Sequence, residues 1–470
     1  MTVDARGLSM TGSAEAAQRY DQAIDHLIRF KPEVTDAGPA AVAADPGCVL
    51  AKVFCAYLAL MSTEEGAVAD ARDALGGLHS ADSAAEMMPR ERAHVAAAER
   101  WIGGDMAGAG DMLGAISVAY PRDLLALSVG HQIDFFTGDA VTLRDRIGRA
   151  IGGWRDDDAQ LGFVQGMYAF GLEETNLYGQ SEEVGRAAVE RNPDDVWGIH
   201  AVVHTYEMAG RIPDGVRFMR SREPDWQLGN FLNVHNSWHY ALYLLQGRDP
   251  DGALATYDRM IRHAGSQDAA LELVDASALL WRMHLEGTPV GDRWRPLTAA
   301  WARILRPGFY PFNDMHAVMS FIGNGELERA EDLVRELENV VGRPAPGSTG
   351  WAMTELVGLP VCRSMVCFGR GEYDDVIAGL LPIRTRVHRF GGSHAQRDAV
   401  ERTLLEAAIR AGRFDLAAAL VSERLSVREC NTYAWSKRAW LKDAAGDPAS
   451  AASALSRATD LAAQIRLAAV

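Results

Sequence analysis

A glycine recurs along this chain at intervals of 31 to 46 residues, each time followed by an Ala-rich stretch with apolar residues three or four apart. These glycines are Gly66, Gly104, Gly138, Gly179, Gly210, Gly247, Gly287, Gly325, Gly371, Gly412 and Gly446. Glycine readily takes the left-handed backbone that ends a helix, and each interval has room for one helix-turn-helix unit. The spacing predicts an all-α chain of about ten helix pairs, stacked as a superhelical α-solenoid of tetratricopeptide-like repeats. The alternative is a set of ordinary helical bundles whose loops contain glycine.

The domain organisation follows from the same repeat. A chain of 470 residues has room for about three domains, but it contains no clear linker. We therefore expect a single array over residues 1–470. The Pro- and Gly-rich stretch 341–350 is the least helical part of the sequence, and it is either a long connection within the array or a soft domain boundary.

Charge and cysteine content narrow the function classes. The net charge of −16 argues against nucleic acid or anionic lipid as a partner, because both require a positive surface. The sequence shows no signal-like segment and no long uninterrupted apolar run, and its five cysteines are sparse. These features predict a cytoplasmic protein with no membrane partner, and they leave homo-oligomerisation open.

Four histidines form two pairs in the middle of the chain. His200 and His204 are one helical turn apart with Glu207 three residues later, and His235 and His239 repeat this spacing beside Trp238. Two adjacent helices could therefore present four imidazoles toward each other. Imidazoles in this arrangement can chelate zinc or a similar divalent ion, with Glu207 as a further ligand or a base. The simpler interpretation is that these side chains form hydrogen bonds within the helical array.

Other polar residues could belong to the same site. Glu173 and Glu174 are most simply a solvated helix face, whereas Asp275 lies in an apolar helix and must be paired or line a cavity. Asp314 and His316 fall in a predicted helix start with Asn313 as its cap. A helix amino end lowers the proton affinity of an imidazole, so we expect His316 to be neutral and to act as an acceptor or base.

A last polar group lies at residues 391–398. Ser393 and Gln396 have the spacing of a capping box, and the preceding glycines expose amides at a helix amino end. Such an end binds a carboxylate or phosphate, and Arg397 would add a guanidinium for the same anion. His394, Arg397 and Asp398 are therefore candidate ligand-binding residues, although a structural cap alone explains Ser393 and Gln396.

Several of these motifs occur together in one known family. They are Phe170-Gly-Leu-Glu-Glu174, the His-Ala-x-x-His and Glu-Met-x-Gly-Arg segments between Trp197 and Arg211, His235-Asn-x-Trp-His239, Leu273-Val-Asp-Ala276, Phe312-Asn-Asp-x-His-Ala317 and Gly391-Gly-Ser-His-Ala-Gln-Arg-Asp398. Together they resemble the tetratricopeptide-repeat protein 38 family over most of the chain. The resemblance implies an α-solenoid of tetratricopeptide-like repeats and specifies no reaction.

Two functions follow from this arrangement of residues. The first is a repeat protein that binds a small polar or anionic ligand, or a peptide, in its His-rich interior. The ligand-binding candidates are Glu173, Glu174, Trp238, Asp275, Asp314, His394, Arg397 and Asp398. The second is an enzyme of the hydrolase or lyase class, and its catalytic candidates are His200, His204, Glu207, His235, His239 and His316. The sequence indicates no organic cofactor; a divalent metal held by His200, His204, His235 and His239 is the inorganic candidate.

Overall fold

The computed structural model describes residues 2–78 and 86–469, and the described chain is almost entirely helical. In its first half the α-helices span Ala14–Ile28, Val34–Ala44, Val49–Leu60, Ala67–Ala74, Pro89–Ile102, Met106–Ala119, Leu124–Thr137, Ala140–Ala150, Leu161–Glu174, Tyr178–Arg191, Val196–Met208 and Ile212–Ser221. In its second half they span Glu223–Trp226, Asn233–Gln246, Pro250–Thr256, Ala270–Leu285, Trp294–Ile304, Pro311–Gly323, Leu327–Val341, Thr349–Met353, Leu359–Arg370, Tyr373–Leu380, His394–Arg410, Phe414–Val427, Thr432–Ala444 and Pro448–Ala468.

Short pieces of other structure complete the described chain. The π-helical turn Tyr257–Ile261 ends the helix that begins at Pro250, and the π-helical turn Thr354–Gly358 joins Thr349–Met353 to Leu359–Arg370. Helices of the 3-10 type occupy Ile151–Gly153, Gly291–Arg293 and Leu381–Phe390. The strands Thr2–Val3 and Ser9–Met10 pair antiparallel at the amino-terminal end. The prediction of an all-α chain is confirmed for the part of the chain that the structure describes.

Most of the described helices pack on their successor in the chain, and many also pack on the next helix but one. Leu161–Glu174, for example, packs on Tyr178–Arg191 and on Val196–Met208. Helices that lie inside this stack are buried on all sides, whereas an outer helix such as Leu327–Val341 buries one stripe of residues and exposes the rest. The polar side chains of inner helices such as Val196–Met208 are therefore held in the protein interior.

Late helices return to the middle of the chain. Pro448–Ala468 packs on Ile212–Ser221, and His394–Arg410 packs on Ala270–Leu285 and on Val196–Met208. The predicted polar stretch at 391–398 is thereby brought beside the helix that carries His200 and His204. This return positions the candidate site.

The glycine prediction is correct at most repeats and wrong at three. Eight of the eleven glycines have a positive φ, for example Gly104, Gly210 and Gly412. The other three are Gly66 and Gly247, which have helical φ values of −57° and −73°, and Gly179, which lies inside a helix. In these three units the left-handed residue is instead Thr63, Asn176 or Arg248, one to three residues away from the glycine. Residues other than glycine thus end those helices. Their left-handed backbone costs conformational energy, which local packing must offset.

The stretch 341–350 connects two helices and contacts the amino-terminal half of the chain. The Thr349 amide donates to Gly104 O at 2.9 Å, and Thr349 Oγ1 accepts from the Ala107 amide at 3.0 Å. After it, Thr349–Arg370 is the one helical segment in residues 2–78 and 86–469 that is long and apolar enough to cross a membrane. The most apolar 18-residue window of this segment has a mean hydropathy of 1.2, and 61% of that window is buried inside the protein, as in a core helix.

Candidate functional site

The first half of the site is on the Val196–Met208 helix. Asp195 caps this helix, with its Oδ1 atom accepting from the Gly198 amide at 3.0 Å. Residues four apart lie on one face of a helix, so His200 and His204 project in the same direction, followed by Glu207 a further turn along. Both imidazoles are fully buried, which ties them to neighbouring helices rather than to solvent.

The Asn233–Gln246 helix supplies the second half. His235 and His239 face the first pair, and the ring centroids of His204 and His239 are 4.3 Å apart, while those of His200 and His235 are 4.8 Å apart. Each of the four rings offers a nitrogen within 4.8 Å of the nitrogens of the other three. The predicted convergence of four imidazoles from two helices is therefore observed.

Three of the four imidazoles each have a carboxylate near their Nδ1 atom. Asp275 contacts His235 Nδ1 at 2.8 Å, and Glu207 contacts His239 Nδ1 at 2.9 Å. The Glu173 carboxylate lies 3.5 Å from His204 Nδ1. At His235 and His239 the hydrogen-bonded carboxylate fixes the proton on Nδ1 and leaves the Nε2 lone pair free, which is the usual outer support of a metal-binding histidine. His204 Nδ1 makes no hydrogen bond to Glu173.

The Nε2 atoms have few other partners. His200 Nε2 and His235 Nε2 lie 3.0 Å apart, and His204 Nε2 and His239 Nε2 are buried with no hydrogen-bond partner. Leaving a buried polar atom unpartnered costs about 1–3 kcal/mol, and here several such atoms point into one small volume. A bound cation would satisfy them together.

Burial keeps the imidazoles of His200, His204 and His239 neutral. It lowers the pKa of His200 and His239 well below the usual value, with the neighbouring imidazoles adding to the effect, and it lowers the pKa of His204 to about 4. Burial also raises the pKa of Glu207 and, reinforced by Glu174, that of Glu173. Neutral imidazole is the form that binds a metal ion.

Glu173 and Glu174 are not a solvated face, contrary to the simplest sequence interpretation. Both carboxylates are buried, because the Leu161–Glu174 helix ends against the start of the His394–Arg410 helix. The Glu174 Oε1 atom accepts from the His394 amide at 2.8 Å, and its Oε2 atom accepts from Arg397 at 3.1 Å. Burial would raise the pKa of Glu174, but His394 and Arg397 lower it overall.

The capping box at Ser393 is confirmed. Ser393 Oγ accepts from the Gln396 amide at 3.2 Å, and Gln396 Oε1 accepts from the Ser393 amide at 3.0 Å. The carboxylate held at this helix end is the chain's own Glu174, which sequence reasoning did not pair with it. Glu173, Glu174 and His204 offer atoms within 4.8 Å of one another, so this corner adjoins the imidazole cluster.

A cavity of about 350 Å³ opens beside this corner. Met208, His394 and Arg397 line it, together with Arg384, Arg424 and Arg428, and four arginines in the lining face two glutamates, Glu401 and Glu423. Each of these four arginines is paired with a carboxylate: Arg384 with Glu423, Arg397 with Glu174, and both Arg424 and Arg428 with Asp398. The guanidinium groups are thus held in place by ion pairs, and a small anion is the occupant to which their remaining N–H groups could donate.

The remaining predicted residues occupy different surroundings. Trp238 is a wall of the imidazole cluster, since its ring stacks on that of His235 at a centroid distance of 5.4 Å. Asp398 lies instead among arginines, 2.8 Å from Arg402 and 2.6 Å from Arg424. It neutralises those guanidinium groups rather than facing the four imidazoles.

Asp314 and His316 are buried but make their contacts elsewhere. Asp314 accepts from the Gly308 amide at 3.0 Å, and His316 Nδ1 donates to Phe312 O at 2.7 Å. Burial lowers the pKa of His316 to about 3, so the expected neutral ring is supported but the main cause is burial. The expected cap is wrong: the helix begins at Pro311 after Tyr310, and the Asn313 side chain donates to Thr63 O, because Pro311 already occupies the first helical position.

Arg282 is a functional candidate that sequence reasoning missed. Its guanidinium is fully buried over the Trp238 ring at 5.3 Å and donates to Ala278 O at 2.8 Å, and burial lowers its pKa to about 10. The signal was present in the sequence, since Arg282 lies seven residues after Asp275 in the same apolar helix.

No protein-family model matches this chain.

Proposed function

We propose that this protein is a metalloprotein that holds a divalent transition-metal ion between His200, His204, His235 and His239. The observation that carries the proposal is the convergence of four imidazoles, three of them fully buried. Carboxylates are hydrogen-bonded to Nδ1 of His235 and of His239, and a third lies 3.5 Å from Nδ1 of His204. Imidazoles that only filled space in a core would not need three carboxylates behind them, of which Asp275 and Glu173 are buried. Desolvating those carboxylates is costly unless a positive charge lies nearby.

The donor set favours a particular class of ion. Four imidazole nitrogens suit zinc, iron, copper or nickel, whereas magnesium and calcium prefer oxygen ligands. For metal–nitrogen bonds of about 2.0–2.1 Å, two nitrogens on one ion lie about 2.9–3.4 Å apart. The 3.0 Å separation of His200 Nε2 and His235 Nε2 falls in this range.

The chemistry we propose is hydrolytic or of the lyase type, on a small anionic molecule. A bound ion would supply Lewis acidity, and the cavity beside Glu174 would hold the anion. Arg397 and Arg428 lie in the cavity lining, and Met208 connects that lining to the helix that carries His200 and His204. Glu207 and Asp275 would orient His239 and His235 as ligands of the ion.

The proposal extends to the type of fold, the cellular location and the kind of partner. The packing of most helices on the next, and the left-handed glycines at eight repeat ends, support a tetratricopeptide-like α-solenoid related to the tetratricopeptide-repeat protein 38 family. The free thiols of all five cysteines support a cytoplasmic location. A small molecule is the partner that an enclosed cavity suits, and an extended peptide would need an open groove instead.

Metal binding by matched variants tests the proposal. The chelator-treated protein is titrated with Zn²⁺ and with Co²⁺, whose visible absorption reports nitrogen ligation. We expect one ion per chain, and loss of at least tenfold in affinity in His204→Asn and in His239→Asn. His284→Asn is the control, because this partly buried histidine stacks on Trp281 outside the cluster. Equal binding by wild type and both cluster variants, each shown to be helical, would contradict the proposal.

A metal-independent ligand-binding protein is the second candidate. It is favoured by the four arginines around the cavity of about 350 Å³, which need no metal to attract an anion. Inorganic phosphate serves as the probe, titrated into chelator-treated protein and into an Arg428→Gln variant. Tight binding that disappears in Arg428→Gln, combined with no metal uptake, would favour this candidate over the metalloprotein.

A further inference from the structure

A second cavity, of about 150 Å³, has a different character from the basic one. Its walls are mostly apolar, and Phe30, Phe163 and Trp197 contribute aromatic rings to them. The Phe30 and Trp197 rings stack face to face with centroids 5.5 Å apart. Trp197 also contacts His200, at a centroid distance of 4.8 Å, so one side chain is shared between this cavity and the imidazole cluster.

Two buried polar atoms in the cavity wall lack a hydrogen-bond partner. Ser128 Oγ does not bond to its own helix, and Asp195 Oδ2 is unpartnered although Asp195 Oδ1 caps the Val196–Met208 helix. Asp195 is fully buried. A protein seldom leaves such groups unsatisfied, and in an otherwise apolar pocket they mark the place for a polar group of a ligand.

The mouth of this cavity is apolar and exposed. Phe231 and Leu271 line the cavity and are 44% and 42% exposed. Phe231 is held there by its amide, which donates to Phe30 O at 2.8 Å. Leu271 lies one helical turn before Asp275, the partner of His235, and His235 is the cluster imidazole whose side chain retains some exposure, 15%. Large apolar side chains around an opening favour entry of an apolar molecule.

We propose that this cavity binds a small molecule with an aromatic or branched aliphatic body and one hydroxyl or amino group. The body packs between Phe30, Phe163 and Trp197, and the polar group bonds to Ser128 Oγ, because Asp195 is already engaged as a helix cap. A cavity of about 150 Å³ accepts a molecule of the size of benzene. The site does not rest on a metal ion at the four histidines, because none of the groups that bind the ligand is a metal ligand.

Calorimetric titration with p-cresol and toluene tests the site on the full chain. The two probes share an aromatic body, and only p-cresol carries a hydroxyl group. We expect wild type to bind both, with p-cresol tighter by roughly tenfold, the value of one hydrogen bond. In Ser128→Ala this preference falls to about twofold or less, while toluene affinity is retained.

Blocking the mouth provides the second arm. Leu271→Arg should lose at least tenfold in affinity for both probes, because the cationic side chain stands at an apolar opening. Leu455→Arg is the matched control, since Leu455 is 49% exposed on a helix that contributes nothing to this cavity, and it should bind as wild type. Equal affinity of wild type for the two probes, or unchanged binding in Leu271→Arg, would overturn the proposal.

Discussion

The Nε2 atoms of His200 and His235 face each other at 3.0 Å inside the protein. Because Asp275 holds the proton on His235 Nδ1, the Nε2 atom of His235 presents a lone pair. A metal-free site needs a proton on His200 Nε2 to satisfy this contact, whereas a metal ion would be coordinated by both lone pairs. The same carboxylate-backed arrangement recurs at His239 with Glu207, which makes the pair one part of a four-nitrogen site.

The carboxylate behind His235 should control metal affinity. Replacing Asp275 by Asn keeps the shape but removes the charge that orients the imidazole, so we expect the Kd for Zn²⁺ to rise about 10–100-fold. Competition with a chromophoric chelator measures this change. Asp314→Asn is the matched control, because Asp314 is a buried carboxylate that accepts from Gly308 instead, and its Kd should equal that of wild type.

The metal-free protein should lose stability as the pH falls from 6.5 towards 4. The pKa of His204 is lowered to about 4 and those of His200 and His239 lie well below the usual value of about 6.5, so the unfolded chain takes up protons that the folded chain refuses. Each such group lowers the free energy of unfolding by up to about 1.4 kcal/mol for each pH unit below 6.5, and it has no effect above that pH.

Urea unfolding in the presence of a chelator, at pH 7.5, 6.0 and 5.0, measures this pH dependence. His204→Asn should flatten the dependence, and His263→Asn, a change at an exposed histidine, should leave it as in wild type. A pH dependence that is the same in all three proteins would show that the buried imidazoles do not govern it.

The ion pair between Glu174 and Arg397 should be strongly coupled. The pair is buried, so removing one partner leaves a desolvated charge and costs about 3–5 kcal/mol. In a double-mutant cycle with Glu174→Gln and Arg397→Gln we expect a coupling energy of about 1–3 kcal/mol. Asp374 and Arg413 form an exposed pair 2.8 Å apart, and the same cycle there should give a value near zero.

Two glycines that look alike in sequence should respond oppositely to alanine. Gly412 has φ +71° and Gly66 has φ −57°, and a Cβ atom would meet no neighbour within 4 Å at either position. Gly412→Ala should destabilise the protein by about 1–2 kcal/mol, because a Cβ atom is strained in the left-handed region. Gly66→Ala should be neutral or stabilising by up to about 1 kcal/mol. The urea midpoints of the two variants, each compared with that of wild type, measure these changes in stability.

Local periodicity was sufficient to predict the all-α class and the convergence of His200, His204, His235 and His239, since both follow from helical spacing. It did not predict which residues would end the helices near Gly66, Gly179 and Gly247. Nor did it predict the burial of Glu174, because the partner of Glu174, the helix start at His394, lies 220 residues away in the chain. Contacts of this kind depend on how late helices return to early ones, and no local pattern encodes that return.

The most direct test of the account is X-ray absorption spectroscopy of the protein loaded with one equivalent of Zn²⁺. We predict a first shell of nitrogen ligands at about 2.0–2.1 Å with the outer-shell scattering of four imidazoles, reduced to three in His239→Asn. A first shell of oxygen atoms without imidazole scattering, or a spectrum unchanged in His239→Asn, would contradict the assignment of the four histidines as a metal site.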